Sequence, residues 1–279
     1  MQVISGIDEL RAILDAQRAQ GRRVGFVPTM GALHEGHLSL VRRAQQDHEV
    51  AVVSIFVNPL QFGANEDLDR YPRQLQADLA LLEPLGVDVV FHPNSEEFTP
   101  SGRLTSVRVD GLTTVLEGAT RPGHFDGVST IVTKLFNAVG PCSAFFGEKD
   151  FQQLAVVRRM VIDLDQPVTV VGCPIVRDAD GLALSSRNAY LSAQERQDAL
   201  AISAALRFVA QNWGGDADYA RTHLRTTLDE APNVRLDYAE VVDPETLEPL
   251  EGVATGAVQA LVAVWVGDTR LIDNVRLEP

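Results

Sequence analysis

The sequence predicts an α/β protein: a Rossmann-like parallel sheet with helices on both faces, followed by a smaller C-terminal α+β domain. Three observations carry this expectation. Short β-branched runs alternate with longer amphipathic ones as far as Val171, the pattern of a parallel sheet covered by helices. The run at 50–57 is strongly apolar, as strands buried on both faces are. After Pro174 the alternation stops, and two helical patterns are followed by strand-like runs.

The elements follow in order. Residues 23–27 read as a strand, then a glycine-containing turn, then a helix over 36–48. The strand at 50–57 precedes a helical pattern over 71–85, where Leu75, Leu79 and Leu82 fall at steps of four and three. Residues 87–91 form the next strand. The spacing predicts a helix over 126–139, with Val128, Ile131, Val132, Leu135 and Phe136 on one side. A strand at 143–146, a helix at 150–164 and a strand at 168–171 complete the larger domain. Beyond it, Ser192 with Glu195 three residues on is a capping-box spacing, opening a helix that runs to Gln211. Gly214-Gly215 ends that segment. A second helix covers 218–230, and strands cover 235–242, 258–266 and 271–275. At about 150 residues per domain the chain divides into two, and we expect domains at 1–173 and 174–279.

Composition narrows the function. Hydrophobic residues make up 45% and charged residues 22%, the balance of a folded globular chain rather than a disordered one. A net charge of −14 disfavours nucleic acid and anionic membranes as partners, although a local cationic pocket can still take a small anion. Cys142 and Cys173 are the only cysteines, which excludes a disulfide scaffold and a zinc ribbon. The longest apolar run, 260–266, falls far short of the ~20 residues that span a bilayer. The N-terminus shows no basic region followed by an apolar one. These features lead us to expect a cytoplasmic protein with reduced thiols.

The chemistry concentrates in Pro28-Thr29-Met30-Gly31-Ala32-Leu33-His34-Glu35-Gly36-His37, directly after the first predicted strand. Ligands of parallel sheets bind at carboxyl ends of strands, and a helix starting here aims free N–H groups and a positive dipole at the loop. Two imidazoles beside that end suit phosphate oxygens. Competing readings fail on spacing: a zinc metalloprotease needs H-E-x-x-H, and neither a dinucleotide fingerprint nor a P-loop is present.

The H-x-G-H element resembles the signature of the nucleotidyl-transferring superfamily that includes class I aminoacyl-tRNA synthetases and small adenylyltransferases. The longer string is similar to the pantothenate synthetase (pantoate–β-alanine ligase) family. Three further stretches match that family in order and spacing: Ser54-Ile55-Phe56-Val57-Asn58-Pro59-Leu60-Gln61-Phe62, Phe146-Gly147-Glu148-Lys149-Asp150-Phe151-Gln152-Gln153, and Asp180-Gly181-Leu182-Ala183-Leu184-Ser185-Ser186-Arg187-Asn188. The resemblance spans nearly the whole chain. It implies that ATP and (R)-pantoate give pantoyl-adenylate and pyrophosphate, after which β-alanine attacks to release pantothenate and AMP. It also implies Mg²⁺ with the ATP and a homodimer.

Carried over residue by residue, the resemblance makes His34, His37, Lys149 and Arg187 catalytic. It assigns ATP to Met30, Gly31, Ala32, Leu33, Glu35, Gly36, Gly147, Glu148, Asp150, Val176, Leu184, Ser185 and Ser186 besides those four. Gln61 and Gln153 become the pantoate amides, and Gln61 also contacts β-alanine. These types suit the work: imidazole and ammonium groups offset charge on phosphates, a hydroxyl and guanidinium loop donates to pyrophosphate, and neutral amides both donate to and accept from pantoate's hydroxyls. The sequence departs from the family at Leu184, where Met is usual, a swap that conserves volume. Asn58 is a possible assistant to Gln61, or a turn residue only. Arg121 is a weaker candidate near pantoate or a subunit contact. Asp78 either helps hold Mg²⁺ through water or is a solvated helix carboxylate, so no residue is assigned as a metal ligand. Two other functions compete: an adenylyltransferase that leaves AMP on a phosphorylated acceptor, and a silent nucleotide-binding protein. A tRNA synthetase is excluded by size and by the lack of a basic region.

Overall fold

A computed structural model describes residues 1–63 and 66–278 of the chain. Contacts divide it into two units, residues 1–148 with 153–174, and residues 149–152 with 175–279.

The first unit is built on six parallel strands: β1 (Gln2–Ile4), β2 (Val24–Thr29), β3 (Val50–Ile55), β4 (Val89–Phe91), β5 (Cys142–Gly147) and β6 (Val168–Cys173), in the order β1-β4-β3-β2-β5-β6. Between them run α1 (Ile7–Arg18), α2 (Glu35–Asp47), α3 (Leu75–Leu82), the short α4 (Ser95–Phe98) and α5 (Glu117–Thr120), then α6 (His124–Val139) and α7 (Phe151–Asp163). Every residue of β3 is buried, which accounts for its unbroken apolar run. Alternation along the strands supplies two apolar faces. Val27, Val53 and Phe145 pack with Leu40, Val41 and Ala44 of α2. Phe26 and Phe146 meet Phe136 of α6 edge-on, at 6.4 and 6.3 Å between centroids. Helices thus cover both faces. Strand order reverses between β2 and β5, the switch point where such sheets bind ligands. There β2 leads through the loop at 30–34 into α2, and β5 ends at Gly147.

Three expectations change here. The helix expected over 71–85 begins only at Leu75 and tightens into a 3₁₀ turn at Glu83–Leu85. Pro72 disfavours helix at the residue before it, and Pro84 has no N–H to continue the ladder. The strand expected at 87–91 is shorter, Val89–Phe91. β1 and α1 are added at the N-terminus; β1 is exposed at its first two residues and pairs with β4 at the sheet edge.

The second unit contains α8 (Ala193–Gln211), α9 (Ala217–Asp229) and an antiparallel sheet β7-β8-β9 (Val234–Val242, Val258–Val266, Thr269–Leu277). The capping box is present: Ser192 Oγ accepts from Glu195 N at 3.2 Å, and the Glu195 carboxylate accepts from Ser192 N at 2.8 Å. Ile202, Leu206 and Val209 of α8 and Leu224 and Leu228 of α9 bury against Val241, Val262 and Val264 of the sheet.

Candidate active site

The loop after β2 is strained and then tied down. Gly31 and the non-glycine Ala32 both adopt positive φ, +83° and +51°. That conformation turns the N–H groups of Ala32 and Leu33 inward, where both donate to the Asp78 carboxylate at 3.0 and 2.8 Å. Thr29 Oγ1 accepts from Gly31 N at 3.2 Å and donates to Ser54 O at 2.7 Å. Successive N–H groups converging on one anion form a nest, and here the anion is the protein's own carboxylate, only 1% exposed. Asp78 is therefore neither a solvated helix residue nor suited to reach a magnesium ion; burial and two backbone bonds commit it to the loop. Among the described residues no cluster of three His, Cys, Asp or Glu side chains could hold a metal.

His34 sits at the N-cap of α2, and its Nδ1 accepts from Gly36 N at 3.2 Å. In return His34 N donates to His37 Nδ1 at 3.4 Å. The two rings lie 4.1 Å apart between centroids, each half-buried. This is a capping box made of histidines, where the usual partners are a hydroxyl and a carboxylate. It has a chemical consequence. A ring nitrogen that accepts a hydrogen bond carries no proton, so each neutral ring is held with its proton on Nε2. The H-x-G-H spacing thereby creates two oriented N–H donors at a positive helix end. Glu35, inside the same element, pairs with Arg42.

Gln61 lies in a 3₁₀ turn, Pro59–Gln61, that Asn58 caps through Leu60 N at 3.0 Å. The same Asn58 gives its Nδ2 to Gln61 Oε1 at 2.9 Å and to Gly127 O at 3.1 Å, so it both caps the turn and bonds the Gln61 side chain. Gln61 Nε2 contacts Met30 Sδ at 3.1 Å. A Cβ on Gly127 would lie 2.2 Å from Leu60 O, so only glycine lets α6 approach this turn. Arg121 and His124 close the arrangement. His124 Nδ1 donates to Gln61 O at 2.9 Å, Arg121 Nη1 reaches His124 Nε2 at 3.2 Å, and Arg121 Nε pairs with Glu66 at 2.8 Å. Burial, reinforced by the Arg121 charge, lowers His124 to about 4 from its ordinary 6.5, so it is neutral. Burial raises Glu66, but the hydrogen bond and charge of Arg121 outweigh it and hold the carboxyl below its usual range. Gln153 is half-buried on the first turn of α7.

The second unit holds its own group. Lys149 has a side chain 18% exposed, lies 3.8 Å from Asp150, and presents its carbonyl to Asn274 Nδ2 at 2.9 Å. Val176 O accepts from Leu184 N at 3.0 Å, closing a hairpin in which Arg177 pairs with Ala183. Ser185 then caps a 3₁₀ turn, Ser186–Tyr190, accepting from Arg187 N at 3.3 Å. Arg187 is half-buried there. The structure thus gathers His34 with His37 and Gln61 with Met30, Asn58, Arg121 and His124 in one unit, and Lys149 and Arg187 belong to the other. Sequence reasoning missed His124, Glu66, Asn274 and the role of Asp78. His124 alone had a local signal, its place three residues after Arg121.

Known proteins resemble this chain throughout. A sequence model described as pantoate-beta-alanine ligase matches residues 2–276. A pantothenate synthetase of Acetivibrio thermocellus is 51% identical, with 100% of each chain covered. One of Acidobacterium capsulatum is 57% identical over 92% of this chain and 86% of its own. Among solved structures, the pantothenate synthetase of Thermus thermophilus superposes with a TM-score of 0.93 at 51% identity over 100% of both chains. A pantoate-beta-alanine ligase of Francisella tularensis, complexed with beta-gamma ATP and beta-alanine, gives 0.81 at 34% identity, covering 99% of this chain and 97% of its own.

Proposed function

The chain belongs to the pantoate–β-alanine ligase family, and from that premise we propose how its residues perform the ATP-dependent condensation of (R)-pantoate with β-alanine. A pantoate carboxylate oxygen attacks the α-phosphorus of ATP; the bond to pyrophosphate breaks, and pantoyl-adenylate forms. The β-alanine amine then attacks the acyl carbon, the C–N bond forms, AMP leaves, and the amine's surplus proton passes to solvent.

The first step accumulates charge on phosphate oxygens, so electrostatics and positioning dominate. His34 and His37 donate Nε2–H to those oxygens, and the reciprocal histidine cap is the single observation that carries this reading. Lys149 and Arg187 add a point charge and a guanidinium fork for the departing pyrophosphate. The rest of the nucleotide contacts are Met30, Gly31, Ala32, Leu33, Glu35, Gly36, Gly147, Glu148, Asp150, Val176, Leu184, Ser185 and Ser186. Magnesium arriving with ATP would offset the charge of its phosphates, and no side chain is assigned to hold it.

Gln61 and Gln153 orient pantoate, and Gln61 also meets β-alanine. A Gln61 amide oriented by Asn58, on a turn whose backbone His124 holds, rejects an analogue lacking a hydroxyl, since a polar group left unpaired on desolvation costs about 1–3 kcal/mol. We assign nucleotide and pantoate binding to residues 1–173, and to 174–279 the role of a lid that keeps water from the adenylate. The reading extends to a cytoplasmic homodimer, as the family resemblance and the reduced thiols expected from the sequence imply. Separately, among the described residues no helix is long and apolar enough to cross a membrane. Purified protein should release AMP and pyrophosphate only when ATP and pantoate are both present, and pantothenate only when β-alanine is added. Release of ADP, or AMP retained on an acceptor, would overturn the reading.

A further inference from the structure

β8 and β9 carry three polar residues where their neighbours are apolar. Gln259, Asp273 and Asn274 are 2%, 3% and 3% exposed. Burial of such groups weakens a domain unless they are paired, and Gln259 is only half paired: its Oε1 has no partner. Stability alone favours apolar side chains at these positions. The bonds link the two strands and then reach beyond them. Gln259 Nε2 donates to Asn274 Oδ1 at 2.7 Å, which points the Asn274 Nδ2 donor at Lys149 O, 2.9 Å away. The adjacent Asp273 binds Arg177 through two bonds of 2.6 and 2.9 Å, and Arg177 reaches Gly181 O at 3.2 Å within the hairpin that feeds Ser185–Arg187. Two neighbouring residues of one strand therefore hold the two segments that bear Lys149 and Arg187. The grouping of residues 149–152 with the second unit agrees with this tether.

We infer that Asn274 is a positioning residue: oriented by Gln259, it fixes the Lys149 backbone and so the ammonium that meets the phosphates. Asp273 performs the same service for the 177–183 hairpin. The inference rests on Lys149 acting on phosphate, as proposed above.

A double-mutant cycle tests it, with adenylate formation followed by rapid quench in the full chain at saturating ATP. Asn274→Ala should slow the step about tenfold, the worth of one well-placed hydrogen bond. In a Lys149→Ala background the same change should cost less than about twofold, because a residue acting through Lys149 has nothing left to position. Equal losses in both backgrounds, or none in the wild type, overturn the inference. If Asn274→Ala does not fold, Gln259→Leu keeps an apolar strand while freeing the Asn274 amide, and should cost about threefold with the same dependence on Lys149. A harmless Lys149→Ala sinks the proposed site and this inference together. A damaging Lys149→Ala beside harmless Asn274→Ala and Gln259→Leu sinks the inference alone.

Discussion

Two loops bear most of the candidate phosphate-binding groups, and they are held in opposite ways. Residues 28–37 are secured from inside. Left-handed backbone at Gly31 and Ala32 turns N–H groups onto a carboxylate that is almost fully buried, and the two histidines cap each other's helix end. Residues 176–187 are secured partly from outside. Arg196 pairs with Asp178 and Asp180 at 2.7 and 2.8 Å, with all three side chains between 31% and 38% exposed. Buried charge-assisted bonds fix a geometry, whereas half-exposed pairs contribute ~0–1 kcal/mol each and weaken with salt. The contrast is one of rigidity: the first loop is preorganised by buried bonds, and the second is held in part by pairs that solvent and salt can loosen.

The largest effects should come from removing the donors themselves. His37→Ala and Lys149→Ala are each expected to lower single-turnover adenylate formation by about 10²-fold or more. Near wild-type rates in both would break the comparison at its root. The supports come next. Asp78→Asn leaves one loop N–H without its acceptor and should cost about 1–3 kcal/mol of unfolding free energy together with roughly tenfold in rate. Arg196→Ala should change the rate by less than about threefold, and added salt should mimic it. Equal sensitivity of the two variants would erase the distinction between inner and outer fastening.

His124 sharpens the picture by pH. Its value is about 4 in the folded chain against 6.5 ordinarily, so between those pH values the unfolded chain binds a proton that the folded chain does not. Stability from this group is complete above about pH 6.5 and is lost as pH falls toward 4, by roughly 2–3 kcal/mol. Denaturant titrations across that window should show a shallower slope for His124→Asn than for wild type; parallel slopes would contradict the assignment. The smallest effect is expected at Leu184→Met, under about twofold in rate, because volume and apolar character are kept.

What the sequence announced was local. The apolar run of β3, the Ser192–Glu195 cap and the strand pattern at Val258–Val266 are visible within a few residues, because burial and capping act over that range. H-x-G-H marked a helix start, yet its spacing did not reveal the histidine capping box that forms there. Asp78 was opaque because its partners lie 45 and 46 residues away, and a carboxylate on a helix looks solvated until its neighbours are known. Asn274 was more so, since its partner Lys149 is 125 residues away in the chain. α1 had Leu10 and Leu14 four apart, a signal present but weaker than those of the central strands.

In the proposed mechanism the His34–His37 box presents two Nε2 protons to the nucleotide. Nitrogen-15 spectra of the imidazoles, recorded near neutral pH before and after adding ATP, test it most directly. Both rings should show a proton on Nε2 and none on Nδ1, and both Nε2 signals should move when ATP binds. A protonated Nδ1 in either ring, or Nε2 signals indifferent to ATP, would contradict it.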